Sequence, residues 1–447
     1  MDATKDRLGR IHHARVHACW QFQGRNSVSM DETNNVARAS GAIDAWIGND
    51  GSGLFPYDAV IRAYHEMGKH FVPDTLLERL DDARSLITKQ AQTEQALKVF
   101  LDVALDKYDS RYEYVTYLAI SVLSIDAGGA RGDTRWNSLE KRDRLFLHLI
   151  CDMLRFELLM IDGADKALQQ LPPDPKVSQR RCASALRALK PVIERIGLDF
   201  SQADDDPIGM ARNLCRIVAN RTERHEQELL ARSILPVYVV HDEYMFIRVL
   251  QSFELTFCWI AGRLMKALEC FDDSPKDAGI LIKQADGVLA ETTMLFSLLS
   301  TMQRESFQTF RAFTEGASAI QSRNYKLVES LCRVPEESRL HSIAYSSVPE
   351  VQQKVIAGVS TLDDAYKTLD KRIGNAQRTE LTQAMADFAK SIKQWRSTHY
   401  GIAIKMLGEN TGTGYTEGTP YLDAVRTIPV FPSIDGVAHT KEIEEVS

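Results

Sequence analysis

The sequence has no long apolar run and no basic excess. No stretch approaches the roughly 20 uninterrupted apolar residues that a membrane-spanning helix needs, so we expect no membrane span. The formal net charge of −7 at pH 7 argues against nucleic acid as a partner, because proteins that bind it usually carry a basic surface. The N-terminal segment also lacks the apolar core of a secretory signal.

The sequence has no paired cysteines either. Its seven cysteines are scattered and odd in number, and no two of them form a CxxC pair. Neither a zinc knuckle nor a disulfide framework is therefore indicated. Free thiols are typical of a reducing compartment, so the sequence predicts a cytoplasmic protein.

Helical periodicity is what the sequence has in abundance. Apolar residues recur at steps of three and four along most of the 447 residues, and alternating β-branched segments are scarce. Clusters of glycine, proline and aspartate mark the loops between these segments. The pattern predicts an all-α helical bundle with long helices near 241–271, 278–301, 304–331 and 378–407. It divides the chain into an N-terminal helical extension, a middle helical region and a C-terminal core, at 1–110, 111–235 and 236–447.

The middle region contains a faint internal repeat. Segment 142–168 resembles segment 241–268, and Phe156-Glu157-Leu158 would match Phe253-Glu254-Leu255. If the duplication is real, the middle region is a degenerate copy of the C-terminal core. The alternative is chance, since amphipathic helices look alike.

His399 lies in the apolar stripe of the segment 378–407. The stripe advances by steps of three and four, which places its members on one buried helix face: Leu381, Met385, Phe388, Ile392, Trp395, His399, Ile402 and Met406. An imidazole there can be a core residue, a metal ligand or a general base. No second His, Asp or Glu lies one turn away, which argues against a site with several protein ligands. A single buried histidine suits a haem, whose porphyrin supplies the other equatorial ligands.

A loop rich in glycine and threonine follows this helix, from Gly408 to Gly418. Glycines allow the backbone to approach a ligand closely, and threonines offer hydroxyl groups. No Lys-Ser/Thr follows the glycines, so the loop is not a phosphate-binding P-loop. A flexible connection and a lid over a site are the two interpretations.

Three blocks together resemble the tryptophan 2,3-dioxygenase superfamily of histidine-ligated, haem-dependent aromatic oxygenases. The segment from His241 to Leu255 looks like the family's HDExLFIxxHQxYELW helix, and Met302 to Ser322 looks like its FRxxLxxxSGFQS block. Trp395-Arg396-Ser-Thr-His399, followed by the glycine loop, looks like the WRxxH helix and the GTGG loop. The blocks cover roughly 236–435, in the family's order. In the N-terminal part, Tyr117-Leu118 resembles an early YL motif.

The resemblance implies haem b as cofactor, dioxygen as co-substrate and a small aromatic amino acid as substrate. His399 would be the proximal iron ligand, with Trp395 beside the cofactor. Arg311 would grip the substrate carboxylate, because a guanidinium fork binds a carboxylate in bidentate fashion. Phe246 would line the distal pocket near the substrate ring. By the same resemblance the fold is a helical bundle of the tryptophan 2,3-dioxygenase type.

Further residues carry over from the same blocks. Phe307 falls where the family commonly has a tyrosine that helps to bind the carboxylate, and phenylalanine cannot donate that hydrogen bond. Ser318 matches a serine near the haem and substrate. Thr413 matches the loop threonine that helps to hold the substrate, with Gly412 and Gly414 around it. His241 and Glu254 match the first block without a catalytic role, and we interpret both as structural.

Leu250 is the main departure from the family. The dioxygenases have a distal histidine there that bonds the indole nitrogen, and leucine offers neither a donor nor an acceptor. An apolar distal wall favours a specialised relative that acts on L-tryptophan, a tryptophan derivative or another aromatic amino acid. The alternatives are a haem-dependent monooxygenase or rearrangement enzyme of natural-product biosynthesis on a tryptophan- or tyrosine-like substrate, and a non-catalytic helical binding or scaffold protein.

The resemblance also bears on assembly. In the family dioxygenases a neighbouring subunit helps to wall the active site. The chain would then be a homo-oligomer or, if the middle region replaces that neighbour, a pseudo-dimeric monomer.

Overall fold

A computed structural model describes residues 30–89, 95–126, 138–163, 170–200, 206–369, 374–408 and 418–434. Within these ranges the regular structure is helical, and the one bridge of β type joins Gln170 to Val240. The prediction of an all-α fold is therefore confirmed. Among the described residues no helix is both long enough and apolar enough to cross a membrane.

The helices follow one another along the chain in two groups. The N-terminal and middle regions contain α1 (Met30–Gly48), α2 (Tyr57–Met67), α3 (Asp74–Lys89), α4 (Gln95–Ala104), α5 (Tyr114–Tyr117), α6 (Ile120–Leu123), α7 (Leu139–Ile161), α8 (Pro175–Arg195), α9 (Pro207–Ala219) and α10 (Arg224–Arg232). The C-terminal region contains α11 (His241–Glu269), α12 (Pro275–Thr292), α13 (Leu295–Leu299), α14 (Arg304–Arg311), α15 (Arg323–Cys332), α16 (Glu337–Leu340), α17 (Ile343–Ser346), α18 (Pro349–Ile356), α19 (Leu362–Thr368), α20 (Asn375–Leu407) and α21 (Thr419–Arg426). Short 3₁₀ turns occur at Lys69–Phe71 and Ala319–Gln321.

Local sequence sets several of these helix ends. Asp174 and Asp206 cap α8 and α9 by accepting hydrogen bonds from the backbone N–H groups of Lys176 and Ile208. Each cap is followed by a proline at the first helical position, where a missing N–H costs nothing. Gly408 ends α20 with a positive φ of 60°, a conformation that glycine adopts without strain.

The predicted continuous helix over 304–331 is wrong. The structure has α14 up to Arg311 and α15 from Arg323, with an irregular segment between them. Gly316 lies in this segment, and a side chain there would come within 3.1 Å of the carbonyl oxygen of Tyr112. Ser322 then caps α15 by accepting from the Tyr325 N–H at 3.2 Å, which starts a new helix.

Two large apolar cores form the interior. One lies among α1 to α4 and includes Ala119 and Leu235. The other runs from Tyr114 to Ile434 and unites α7 to α10 with the helices of the C-terminal region. Helix α11 packs against α7, α12 and α15, so it is the central helix of this core. The region boundaries and the duplication stay predictions.

Buried charges fix α14 relative to α11. Arg181 is fully buried and pairs with Asp242 at 2.6 Å and with Glu157 at 3.3 Å. The second oxygen of Asp242 accepts from the backbone N–H of Gln303 at 2.7 Å, immediately before α14 begins. Because buried charges are held only in paired arrangements, this network fixes where the start of α14 meets α11.

Candidate functional site

A large cavity lies between α11, α14, α15, α20 and α21. It encloses about 1660 Å³ of space between atoms, including its mouth to solvent. Part of that space is open to solvent, so the enclosed part is smaller. Its wall is mostly apolar and aromatic, with a few polar groups among them.

His399 is brought to this cavity by α20. Its imidazole lines the cavity and lies 5.3 Å from the ring of Trp395 and 6.4 Å from that of Phe296, measured between centroids. Loss of hydration lowers the pKa of His399 to about 4, so the ring is neutral at pH 7. Neither ring nitrogen makes a hydrogen bond to any described residue. A neutral imidazole that faces an apolar cavity can donate a lone pair to a metal.

Trp395 holds the His399 side of the cavity in place. Its indole packs edge-on against Phe253 and Phe257, at centroid distances of 5.8 and 5.2 Å, and stacks on Tyr325 at 5.4 Å. The adjacent Arg396 donates to the Tyr325 hydroxyl at 2.8 Å and to the Ile428 carbonyl at 2.7 Å. These contacts leave the last turns of α20 little freedom to rotate.

A second aromatic group lies on α11 and α14. The ring of Phe246 lies 6.0 Å from that of Phe307 and 5.2 Å from that of Phe310. Leu250, one turn beyond Phe246, lines the same cavity. None of these four side chains carries a hydrogen-bonding atom, so this part of the wall accepts only apolar surface.

Arg311 is the last residue of α14 and lines the cavity beside Phe307 and Phe310. Its side chain is partly buried, and loss of hydration lowers its pKa from the ordinary value. Arginine stays protonated under such shifts, because its unperturbed pKa is so high. A half-dry guanidinium at a cavity wall is suited to bind a carboxylate.

Ser318 lines the cavity but already has a structural task. Its hydroxyl accepts from the Ile320 N–H at 3.5 Å, and its own N–H donates to Gln321 Oε1 at 3.3 Å. This reciprocal cap begins the 3₁₀ turn Ala319–Gln321. Gln321 Oε1 also accepts from the Tyr114 N–H at 3.0 Å, which joins the turn to the N-terminal part of the chain.

Gly412, Thr413 and Gly414 lie outside the described residues, so their predicted role stays a prediction. The chain is described again from Gly418, which lines the cavity. Tyr421 and Leu422 of α21 do so as well. The loop thus begins and ends beside the cavity, since Leu407 before it is also part of the wall.

Sequence reasoning missed several residues of the wall. Tyr114 and Tyr117 come from the region before α7, and Lys326 comes from α15. Glu254, which the sequence analysis treats as structural, lines the cavity and is nearly fully buried. Burial raises the pKa of its carboxyl. Hydrogen bonds from Ser322, Asn324 and Tyr114 lower it, but the effect of burial is larger. The YL motif was the available signal for Tyr117.

The donor set fits a haem. The described residues contain no group of three or more His, Cys, Asp or Glu side chains that could hold a metal ion by themselves. His399 is a single unprotonated donor on an apolar wall, and a porphyrin would supply the remaining ligands. The aromatic and aliphatic lining suits the faces of a flat apolar macrocycle.

No family model matches the chain. Similarity to individual curated proteins is present over part of it. The chain is 23% identical to the tryptophan 2,3-dioxygenase of Erythrobacter litoralis (strain HTCC2594), in a match that spans 44% of this chain and 89% of that protein. The enzyme of Bradyrhizobium sp. (strain BTAi1) is 24% identical over 44% of this chain and 84% of its own length. The enzyme of Anaeromyxobacter sp. (strain K) is 23% identical, in a match that spans 43% of this chain and 85% of that protein.

These similarities support classing the chain as a divergent member of the tryptophan 2,3-dioxygenase superfamily. The all-helical structure of the described residues is consistent with that relationship. More than half of its length lies outside the matched part, which is an addition relative to those bacterial enzymes.

Proposed function

We propose that the chain is a haem-dependent oxygenase that uses dioxygen on an aromatic amino acid, with L-tryptophan or a derivative of it as the substrate class. The observation that carries the proposal is His399. Its imidazole is neutral, faces a large apolar cavity and has no hydrogen-bond partner among the described residues. Haem b bound there would supply the redox-active iron that oxygen chemistry requires.

The residues of the chain would bind and orient the substrate. Arg311 would hold its carboxylate, and the aromatic group of Phe246, Phe307 and Phe310 would pack on its ring. Since aromatic rings prefer edge-to-face or offset contacts, this wall favours a flat aromatic side chain over an aliphatic one. By the family resemblance, Thr413, with Gly412 and Gly414 around it, would help to hold the substrate.

Leu250 makes the ring pocket unfavourable for a ring N–H. A buried donor without a partner costs roughly 1–3 kcal/mol, so an indole N–H directed at Leu250 would be penalised and an N-alkylated or benzenoid ring would not. This favours a second candidate within the same chemistry, a monooxygenase or rearrangement enzyme of natural-product biosynthesis. Product mass separates the two, because a dioxygenase adds two oxygen atoms and the others add one or none.

Residues from the N-terminal half of the chain also line the cavity. Tyr114 and Tyr117 would take the place of residues that a neighbouring subunit contributes in oligomeric relatives, and the chain would then be a pseudo-dimeric monomer rather than a homo-oligomer. Light scattering on the purified protein tests this assembly. A tetramer that dissociates only on unfolding would contradict it.

The decisive experiment is the absorption spectrum of the full chain reconstituted with haemin. We expect a Soret band that is lost in His399→Gly and restored by millimolar imidazole, which enters the vacated space and replaces the ligand. His341→Gly, at an exposed histidine outside the cavity, is the matched control and should keep the band. A colourless wild-type protein, or an unchanged band in His399→Gly, would reject the proposal.

A further inference from the structure

Three cations surround one buried carboxylate beside the cavity. Glu329 lies 3.3 Å from Lys326 Nζ, 3.0 Å from Arg339 Nη2 and 3.6 Å from Arg396 Nη2. Its side chain is 5% exposed, and those of Lys326, Arg339 and Arg396 are 2%, 11% and 5% exposed. We call these four residues the Glu329 cluster.

The Glu329 cluster has an excess of positive charge. Three cations and one anion leave a net charge of +2, in a place that water reaches poorly. Uncompensated charge is costly to bury, because the low dielectric of the interior does not replace its lost hydration. Nearby tyrosine rings, such as that of Tyr345 at 5.3 Å from Lys326 Nζ, offset only part of this cost. An anionic group from outside the protein would balance the cluster.

Lys326 has unused hydrogen-bonding capacity. An ammonium has three donors. Within the described ranges the Lys326 ammonium makes one hydrogen bond, to Glu329 Oε2 at 3.3 Å. Arg396, in contrast, bonds Tyr325 and Ile428 as well as pairing with Glu329. Burial lowers the pKa of Lys326 to about 8, which leaves it mostly protonated at pH 7.

Lys326 and Arg396 both line the cavity. Both pair with Glu329, so they lie where α15 and α20 meet. Arg311 lies on α14, the helix that also carries Phe307 and Phe310. Cationic side chains that could bind a carboxylate thus come from different helices of the wall, and the proposed substrate carboxylate occupies only the one at Arg311.

We propose that Lys326, backed by Arg339 and Arg396 around Glu329, is a second anion-binding position of the cavity that takes a carboxylate. The proposal rests on the proposed function, because a haem carries two propionate carboxylates and its iron would be held by the nearby His399. The other source of the same chemistry is the carboxylate of an amino-acid substrate.

One test asks whether the carboxylate at Lys326 is a haem propionate. It compares the equilibrium binding of haemin and of haemin dimethyl ester to the full chain after any haem has been removed. The ester lacks both carboxylates. A charge-assisted hydrogen bond is worth enough to change a dissociation constant roughly tenfold or more. We expect Lys326→Met to weaken haemin binding by that factor and to leave ester binding unchanged, while Lys326→Arg retains affinity for both. Lys390→Met, at an exposed lysine of α20, is the matched control.

A second arm tests the substrate source. Shifts of the Soret band would report binding of L-tryptophan and of tryptamine, which lacks the carboxylate, to haem-loaded protein. If Lys326→Met weakens only L-tryptophan binding and not haemin binding, the anion position stands and belongs to the substrate. If the variant changes neither, the inference is overturned, while a His399-dependent Soret band would leave the proposed function intact. A wild-type chain that binds no haemin overturns both.

Discussion

Tyr114 Oη donates a hydrogen bond of 3.1 Å to Glu254 Oε1, between two residues that are 140 positions apart in the chain. Both side chains are nearly fully buried, and both line the cavity. The bond therefore attaches the N-terminal half of the chain to the central helix α11 at the candidate site.

Tyr114→Phe should weaken this attachment. Glu254 would keep its bonds from Ser322 and Asn324, so we expect a loss of about 1 kcal/mol in the free energy of unfolding. Denaturation in urea measures this difference. Tyr108→Phe is the control, because Tyr108 is half-buried and makes no hydrogen bond to a described residue. Equal stability of the two variants would mean that the Tyr114 bond contributes nothing to the attachment.

Arg311→Met should lower the affinity for amino-acid ligands selectively. The variant removes the guanidinium but keeps a side chain of similar length, so we expect the dissociation constant of L-tryptophan to rise roughly 10- to 100-fold. Binding of tryptamine should not change. Spectral titration of the haem-loaded protein measures both constants.

Arg180→Met, at an exposed arginine that does not line the cavity, is the matched control for Arg311→Met. An equal loss of L-tryptophan and tryptamine binding would point to general damage of the cavity and would count against a carboxylate at Arg311.

Leu250→His should create a preference for a ring N–H. In the wild type the apolar wall gives no hydrogen bond to an indole nitrogen, so 1-methyl-L-tryptophan should bind more tightly than L-tryptophan. The imidazole would favour L-tryptophan by roughly tenfold, the value of a neutral hydrogen bond. Leu250→Met keeps an apolar side chain and serves as control. A strong preference for L-tryptophan already in the wild type would show that another group bonds the ring nitrogen.

Glu243 should make stability fall as pH rises. Its buried carboxyl accepts from the N–H groups of Val237 and Tyr238 and from the Tyr117 hydroxyl, and burial raises its pKa to about 8. A carboxyl whose pKa is higher in the folded state stabilises the fold fully below its unfolded pKa of about 4.5. That contribution is lost as pH rises from there through about 8.

The free energy of unfolding, measured from pH 4 to pH 9, checks this expectation through the slope of its pH dependence. Glu243→Gln removes the titrating group and should flatten the slope, even if the amide disturbs one backbone hydrogen bond. Glu305→Gln, at an exposed carboxyl of α14, should show the same slope as the wild type. Identical slopes in all three proteins would show that Glu243 titrates normally.

The long helices were predictable because helical periodicity is local. The stripe through His399 and Trp395 follows from spacing within one segment, and the observed α20 ends at Leu407 as predicted. The break after Arg311 was not predictable in this way. It depends on the approach of Gly316 to the Tyr112 carbonyl, a contact between distant segments.

Residue type and spacing within single helices are enough to predict the helical class, the face of α20 that carries His399 and the apolar replacement at Leu250. Only the tertiary structure decided that Tyr114, Glu254 and Lys326 meet around the same cavity. Their side chains come from separate helices, and the way helices pack depends on the shapes of all the side chains between them. No local pattern contains that information.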